Sequence, residues 1–446
     1  RVTAVFPETF AGEVIRPRDP GYDAARVVWN GMIDRYPALI VRPTGPEDIA
    51  TAIRHAREEE LALAVRGGGH SVPGLSTCDD GLVIDLARMR GVQLDAEART
   101  ARANGGALLG ELDEASLAVG LVCPVGVVSH TGVAGLTLGG GMGRLQRKLG
   151  LTIDSLLEVE LVTADGRLVR ASTEENPELF WGLRGAGSNF GVATSFTFHL
   201  HPFVGTVTHG AVVHPIERAH ELAALYRDLV ENGPRELWLS LAFGIEEGRP
   251  FAAVSTLHSG TPAAAERDLA ELRAFGPPLV DSIVPKTLLA TQVMQDEPLA
   301  WGHRFSMKSA FLASLPEQAV TEAVDHVGRT PPGTRGEVSF IAWGGAIADV
   351  PEDDAAFAGR EAAVWAATEI VWDDPSRDGA ARDWGRSLIT DFDRFAISGR
   401  YVNDVAETGA DVARSVYGEA KYERLVALKR AWDPDNIFRL NQNVRP

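Results

Sequence analysis

Cysteine is scarce. Cys78 and Cys123 are the two thiols in 446 residues, too few for a disulfide framework and without the paired spacing that zinc sites need. Lysine is scarce as well: Lys148, Lys286, Lys308, Lys421 and Lys429 are the five among 43 basic residues, a skew we read as the mark of a GC-rich bacterial genome. Positive charge as a whole is in deficit, 43 groups against 61 acidic ones. The resulting net charge of −18 repels phosphate backbones and excludes nucleic acid or an anionic membrane as the main partner. No run approaches the roughly 18 apolar residues of a membrane helix. Arg1-Val2-Thr3 shows neither a basic n-region nor an apolar h-region, so a cytoplasmic location is expected, with a segment trimmed ahead of Arg1 left open. Internal repeats and low-complexity linkers are absent. What is present, 45% hydrophobic and 23% charged residues, describes a globular chain of about two to three domains and excludes disorder, a collagen-like repeat or a coiled coil.

The first half alternates strands and helices. Ala38 to Val41 is an apolar run, Ile49, Ala52, Ile53 and Ala56 mark a helix beginning at Pro46, and Leu61 to Val65 returns as a strand. A further strand spans Leu82 to Leu86. Leu156–Thr163 and Arg167–Arg170 flank the hairpin signal Ala164-Asp165-Gly166. A short helix, Pro177 to Leu183, precedes an alternating strand from Val192 to Phe198. Beyond Pro202 the character changes to longer amphipathic helical patterns at Ala219–Leu229, Pro262–Ala274, Glu317–Val327 and Asp354–Ala367, between short β-rich runs such as Leu237–Phe243. A strand-like stretch, Gly399 to Asn403, and a helix, Glu419 to Trp432, close the chain.

Three glycine concentrations interrupt this pattern, at 67–69, 132–143 and 185–191. Glycine lets backbone N–H groups approach a phosphate closely, and three such loops suit a ligand with a diphosphate body. The middle one, from Gly132 to Gly143, is too rich in glycine for a comfortable helix or strand. The dinucleotide fingerprint of the Rossmann fold is excluded, because Gly185-x-Gly187 follows a helix and precedes a strand, the reverse of what that motif requires. No phosphate-binding G-x-x-x-x-G-K-[ST] occurs either. His70 ends the first loop. An imidazole with an ordinary pKa near 6.5 is a good nucleophile, and a rigid turn at a strand end presents it. His199-x-His201 places two imidazoles on one strand face but has no third ligand nearby, so no metal is expected. Trp301, Trp343, Trp365 and Trp372 read mostly as core.

Together Arg66-Gly-Gly-Gly-His70-Ser71, Ser129 to Gly141, Lys148 to Leu151 with Asp154, Gly185 to Gly191, and the tail running from Tyr401-Val402-Asn403 to Asn443 resemble the berberine bridge enzyme-like FAD-linked oxidases of the vanillyl-alcohol oxidase superfamily. The resemblance implies an α+β fold. A two-subdomain FAD-binding domain of PCMH type would occupy residues 1–203, with its core at about 36–203. A substrate domain, an antiparallel sheet covered by helices, would occupy 204–399, and residues 400–446 would return to the FAD domain.

It also implies FAD bonded covalently to His70. Relatives that carry a second, cysteinyl link place the cysteine eleven residues before the Gly-Gly-Gly run, which here is Val128. Cys123 lies five residues too early, so a single histidyl link is expected. The implied cofactor-binding set is Arg66, Gly67, Gly68, Gly69, His70, Ser71, Val128, His130, Thr131, Gly132, Gly135, Leu138, Gly139, Gly140, Gly141, Gly143, Leu151, Asp154, Gly191 and Val192, with Tyr401 and Asn403. Tyr401 and Asn403 are also the expected catalytic pair, sharing one strand face at i and i+2, with Tyr401 either the base or a residue that positions substrate through its hydroxyl. The partners implied are a small molecule oxidised at a CH–OH or CH–NH group and dioxygen, reduced to hydrogen peroxide. Thr131, close in volume to the valine of oxygen-reactive relatives, favours an oxidase over the alternatives the resemblance leaves open, an oxygen-unreactive dehydrogenase of the same fold or a secondary-metabolite oxidative cyclase. The sequence sets no oligomeric state.

Overall fold

Strand pairing in the computed structural model, which describes residues 6–446, sorts the chain into three main sheets. Residues 1–5, on which the reading of the chain start rests, lie outside the described part. In the first sheet β1 (Glu13–Ile15) runs antiparallel to β2 (Leu39–Arg42), and β3 (Leu63–Arg66) and β4 (Leu82–Asp85) run parallel to β2, in the order β1-β2-β4-β3. The helix Pro46–Glu58 connects β2 to β3 and buries Ile49, Ala52, Ile53 and Ala56 against the sheet. The expected β-α-β unit is therefore present, with β4 inserted between its two strands.

The second sheet is antiparallel and collects β5 (Val92–Asp95), β6 (Thr100–Asn104), β8 (Leu156–Val162), β9 (Leu168–Ser172) and β10 (Val192–His199) in the order β5-β6-β10-β8-β9. A two-residue β7 (Leu121–Val122) pairs with β11 (His201–Pro202) beside it. The third sheet holds eight antiparallel strands: β12 (Thr206–Pro215), β13 (Leu237–Glu246), β14 (Arg249–His258), β15 (Val280–Asp281), β16 (Val284–Thr287), β17 (Arg304–Leu312), β18 (Arg335–Ala342) and β19 (Val364–Trp372). Its central order is β12-β14-β13-β18-β19-β17. The helices Ala219–Asn232, Glu317–Val327 and Asp378–Asp391 cover one face, burying Leu222, Tyr226, Val320 and Leu388 with Leu241, Phe340 and Ile370 of the strands. The other face is left to line a cavity. Among the described residues no helix is long and apolar enough to cross a membrane.

Four local expectations are corrected. Asp354–Ala367 is not a helix. Only a 3-10 turn, Glu352–Asp354, forms there before an irregular segment leads into β19. Val364, Trp365, Ile370, Val371 and Trp372, branched and aromatic, suit a strand buried on both faces, and this outweighs the helical spacing of the alanines. Val133–Leu138 is a helix despite its glycine content, because Val133, Ala134 and Thr137 are buried and tertiary packing replaces propensity. Pro262–Ala274 breaks into two short helices at Leu269. Tyr401 to Asn403 is no strand: the backbone enters a 3-10 turn at Val402–Asp404.

The C-terminal helix, Glu419–Trp432, is anchored by a buried cation. Lys429 is fully buried and its Nζ donates to Asp433 Oδ2 at 2.7 Å and to the carbonyls of Asn189 and Phe438, both at 2.8 Å. The third glycine loop is thereby latched to the tail, aided by Asn441 Nδ2 on the Ser188 carbonyl and Val444 N on Asn189 Oδ1. Removing one partner of a buried ion pair strands the other, at a cost of about 3–5 kcal/mol. Lys429→Ala is expected to lower stability by that order in denaturant unfolding, with a smaller loss for the double variant Lys429→Met, Asp433→Leu.

Candidate active site

The first glycine loop leaves the end of β3, and the second leads into the helix Val133–Leu138. The two loops touch backbone to backbone. A Cβ on Gly68 would lie 2.2 Å from the Gly132 nitrogen, and one on Gly132 would lie 2.4 Å from the Gly68 nitrogen, so only glycine permits the approach. The amide N–H groups of Gly68, Gly69, His70 and Ser71 have no hydrogen-bond acceptor among the described residues. Four successive free N–H groups form a concave donor set suited to a diphosphate.

His70 stands at the rim of this set. The Trp29 ring stacks on its imidazole with centroids 4.7 Å apart, and its Nε2 lies 2.7 Å from His130 Nδ1. Its Nδ1 has only the Thr131 hydroxyl near it, at 3.4 Å. Burial, reinforced by His130, pushes the His70 pKa down to about 3. The ring is therefore neutral at physiological pH and keeps a lone pair for bonding.

Across from the loops, Asn403 fits against Gly139, where a Cβ would sit 2.1 Å from its Oδ1. Asn403 Nδ2 donates to Tyr401 Oη at 3.0 Å and to the Leu136 carbonyl at 3.2 Å. Tyr401 Oη also accepts the Met142 N–H at 3.2 Å. The pair meets as expected, through a tight turn and not along a strand. Burial raises the Tyr401 pKa well above its ordinary value, and Asp404 adds to the rise. None of the groups acting on it is a cation. The phenol accepts two protein hydrogen bonds and retains its own proton.

Between the loops and the uncovered face of the third sheet lies a cavity of about 930 Å³, at the upper end of the range for ligand pockets. Of the sequence-predicted set it is lined by Gly67, Gly68, Gly69, His70, Ser71, Val128, Thr131, Gly132, Gly135, Leu138, Gly139, Gly143, Tyr401 and Asn403. The others stand behind this wall. Arg66 is buried away from it, donating to the Ala25 carbonyl at 2.6 Å. His130 reaches it only through His70. Gly140 and Gly141 fold back against Phe357 and Thr152. Asp154 pairs with Arg360 at 2.6 Å and caps Leu151 N at 2.8 Å. Gly191 and Val192 lie at the start of β10, with Gly191 packed on Val162. Cys123 is buried and does not line the cavity. His201 bonds Ser155 at 2.9 Å, and no cluster of three metal-ligating side chains occurs among the described residues.

These features fit a flavin dinucleotide. The comparisons give the same answer. A model for an FAD binding domain matches residues 37–172, and a model described as berberine and berberine like matches 400–445. The chain is 32% identical over 454 residues to (R)-6-hydroxynicotine oxidase of Paenarthrobacter nicotinovorans, covering 99% of this chain and 98% of that one. The chain belongs to the berberine bridge enzyme-like FAD-linked oxidoreductases. An FAD-linked oxidoreductase of Dictyostelium discoideum is 31% identical, with 99% of this chain and 96% of that one covered. The crystal structure of 6-hydroxy-D-nicotine oxidase from Arthrobacter nicotinovorans superposes with a TM-score of 0.92 at 29% identity, covering 99% of this chain and all of that one. Berberine bridge enzyme itself, at 22% identity and a TM-score of 0.86, shares the fold.

The composition and motifs of this oxidoreductase did not reveal a pair of carboxylates in the cavity wall. Glu337 on β18 and Glu369 on β19 stand directly opposite each other in register and both line the cavity. Burial raises the Glu337 pKa to about 8, with Glu369 adding to it, and burial raises Glu369 to about 7. Nearby Asp404, held by Ser309 Oγ at 3.0 Å and Trp365 Nε1 at 3.1 Å, is raised by burial to about 8. The alternation Arg335-x-Glu337-x-Ser339 of polar residues is the one sequence signal that could have marked this face.

A carboxyl whose folded pKa exceeds its unfolded value of 4.5 holds its proton longer in the folded state. Its stabilising contribution is complete below that unfolded value and is lost as pH rises through about 7–8. Glu337→Gln, which mimics the protonated form, is expected to match the parent Tm near pH 5 and to exceed it by about 2 °C or more near pH 8.5. Equal Tm differences at both pH values would contradict the assignment.

Proposed function

We propose that the chain is an FAD-dependent oxidase that holds its cofactor through a single covalent bond to His70 and oxidises a small molecule at a carbon bearing a hydroxyl or an amine. Bound FAD would supply the two-electron acceptor, taking hydride from that carbon and passing the electrons to dioxygen as hydrogen peroxide. The observation that carries the reading is the placement of a neutral, stacked imidazole beside four unsatisfied backbone N–H groups at the mouth of one large cavity.

Each residue then has a physical task. The N–H groups of residues 68–71 would take the diphosphate. His130 holds Nε2 of His70, which leaves Nδ1 for the flavin bond and fixes the ring's direction. Val128, lining the cavity, has no thiol for a second link. Tyr401, with its oxygen lone pairs engaged by Asn403 and Met142, would keep its proton and donate a hydrogen bond through it to a substrate oxygen or nitrogen. This makes it a positioning donor, the second of the two roles expected for it. Thr131 sits in the cavity wall, where it would border the approach of dioxygen. The named activity of the 6-hydroxynicotine oxidase relative, an oxidase acting on a small nitrogen-containing molecule, supports the reaction class.

Acid precipitation tests the cofactor bond. Yellow colour should remain in the pellet of the purified protein and pass to the supernatant for His70→Ala; a yellow mutant pellet would refute the linkage. For the oxidase reading, substrate-reduced protein mixed with air should regain its visible absorption within seconds and release peroxide, whereas a reduced state stable in air would indicate a dehydrogenase. Tyr401→Phe should retain flavin and slow anaerobic flavin reduction by about tenfold, the effect of one lost hydrogen bond of roughly 1.4 kcal/mol.

A further inference from the structure

A charge folded into a protein interior is costly unless it is paired. Six cations are buried among the described residues: Arg66, Arg144, Arg147, Arg360, Lys421 and Lys429. Arg66, Arg360, Lys421 and Lys429 each have a carboxylate within 4.0 Å, namely Asp85, Asp154, Glu352 and Asp433. Arg147 has none, but it spends Nη1 and Nη2 on the carbonyls of Leu237 and Val230, at 3.2 and 3.1 Å, and does not line the cavity. Arg144 does line it. Its one protein hydrogen bond runs from Nη1 to the Thr291 carbonyl at 3.1 Å, and neither Nε nor Nη2 has an acceptor among the described residues.

The surroundings of Arg144 supply no negative charge. The Trp238 ring of β13 lies 5.9 Å from its guanidinium carbon, and strand register sets His209 of β12, Leu257 of β14 and Trp238 in one row across the sheet. His209 also lines the cavity, and its Nδ1 is buried without a partner. Burial, Arg144 and Lys286 together hold the His209 pKa down to about 3, so the ring is neutral with one N–H to donate. Burial alone lowers Arg144 to about 10, which leaves it charged at neutral pH, and no carboxylate acts on it. The carboxyls of Glu337 and Glu369 are remote. Glu337 pairs with Gly244, six residues along β13 from Trp238, roughly 20 Å at the rise of an antiparallel strand. This end of the cavity therefore holds an unpaired guanidinium, an imidazole and an indole, and lacks an anion to complete them.

A carboxylate answers each feature. Its two oxygens suit the planar donor set of a guanidinium, its single charge matches the one charged group in the wall, and an aryl or alkyl body can lie against Trp238. Inorganic phosphate has no body to use that ring. The diphosphate of the cofactor already has the four free N–H groups of residues 68–71, on the turn after β3.

We infer that Arg144 and His209 form a carboxylate-binding subsite, so that the substrate oxidised in this cavity is an organic acid held by its carboxylate at this end. This rests on the proposed oxidase function and names the substrate class of the same site. Arg144 binds the carboxylate through the donors that Thr291 leaves free, and His209 adds its N–H. Both are positioning residues that select the substrate, and neither takes part in hydride transfer.

Calorimetric titration of the flavin-loaded protein tests the subsite. The probes are phenylacetate, 3-phenylpropionate and 4-(hydroxymethyl)benzoate, each beside its methyl ester, with inorganic phosphate as the bare anion. Each acid should bind at least tenfold more tightly than its ester, the scale of one charge-assisted hydrogen bond, and more tightly than phosphate. Arg144→Met should bring the acid-to-ester ratio close to one with flavin content unchanged, Arg144→Lys should keep part of the ratio, and His209→Phe should lower it severalfold. Esters or phosphate binding as well as the acids, or an unchanged ratio in Arg144→Met, would overturn the inference. So would loss of flavin from a folded Arg144→Met, which would assign the cation to the cofactor. The acid-to-ester comparison on the parent protein needs no variant and decides the matter even where a substitution prevents folding. The two readings fail separately: acids that bind with the expected preference but never bleach the flavin anaerobically sink the oxidase proposal, whereas a flavin bleached by neutral alcohols and not by acids sinks this inference alone.

Discussion

The contact on which the rest of the site depends is that between the backbones of Gly68 and Gly132. It brings the turn after β3 and the turn before the helix Val133–Leu138 to a distance that no side chain would allow. Because the two chains meet edge to edge without forming a ladder, the N–H groups of residues 68–71 remain unsatisfied. Unpaired donors of this kind are costly in a buried place, and they persist because the surrounding sheets hold both turns fixed. His70 inherits its orientation from the same arrangement, with Trp29 on its face and His130 on its edge.

The opposite wall is secured from the far end of the chain. Lys429, Asn189 and Asn441 tie the C-terminal segment to the third glycine loop, and that segment carries Tyr401 and Asn403 to the helix Val133–Leu138. Residues distant in sequence thus complete a single pocket, with the eight-stranded sheet as its roof. The roof differs from the floor in kind. Glycine backbones and the neutral His70 ring line the loops, whereas the sheet presents carboxyl and hydroxyl groups, so the two walls of the pocket differ in chemistry.

The local pattern made some elements legible. The helices Pro46–Glu58, Glu317–Val327 and Glu419–Trp432 carry period or boundary signals strong enough to stand on their own, and the structure places them there. Glycine loops and His70 were legible because their residue types have few structural uses in that arrangement. Asp354–Ala367 misled because alanine-rich spacing resembles a helix, while the decisive fact, pairing of Val364–Trp372 with two neighbouring strands, is a long-range one. The glycine-rich helix Val133–Leu138 misled in the opposite direction, since burial of Val133, Ala134 and Thr137 overrides weak propensity.

By itself the sequence determined the fold class, through motifs spread along the chain, and the placing of His70 at the end of a glycine turn and of Tyr401 beside Asn403, each carried by residues close together in the chain. Only the tertiary structure decided that Arg66, Asp154 and Gly191 stand behind the cavity wall, that no cation acts on the buried Tyr401 phenol, and that Glu337 faces Glu369. Those facts follow from strand register and from the dielectric environment of a buried group. Both are properties of contacts between distant segments, and neither can be read from the segments taken singly.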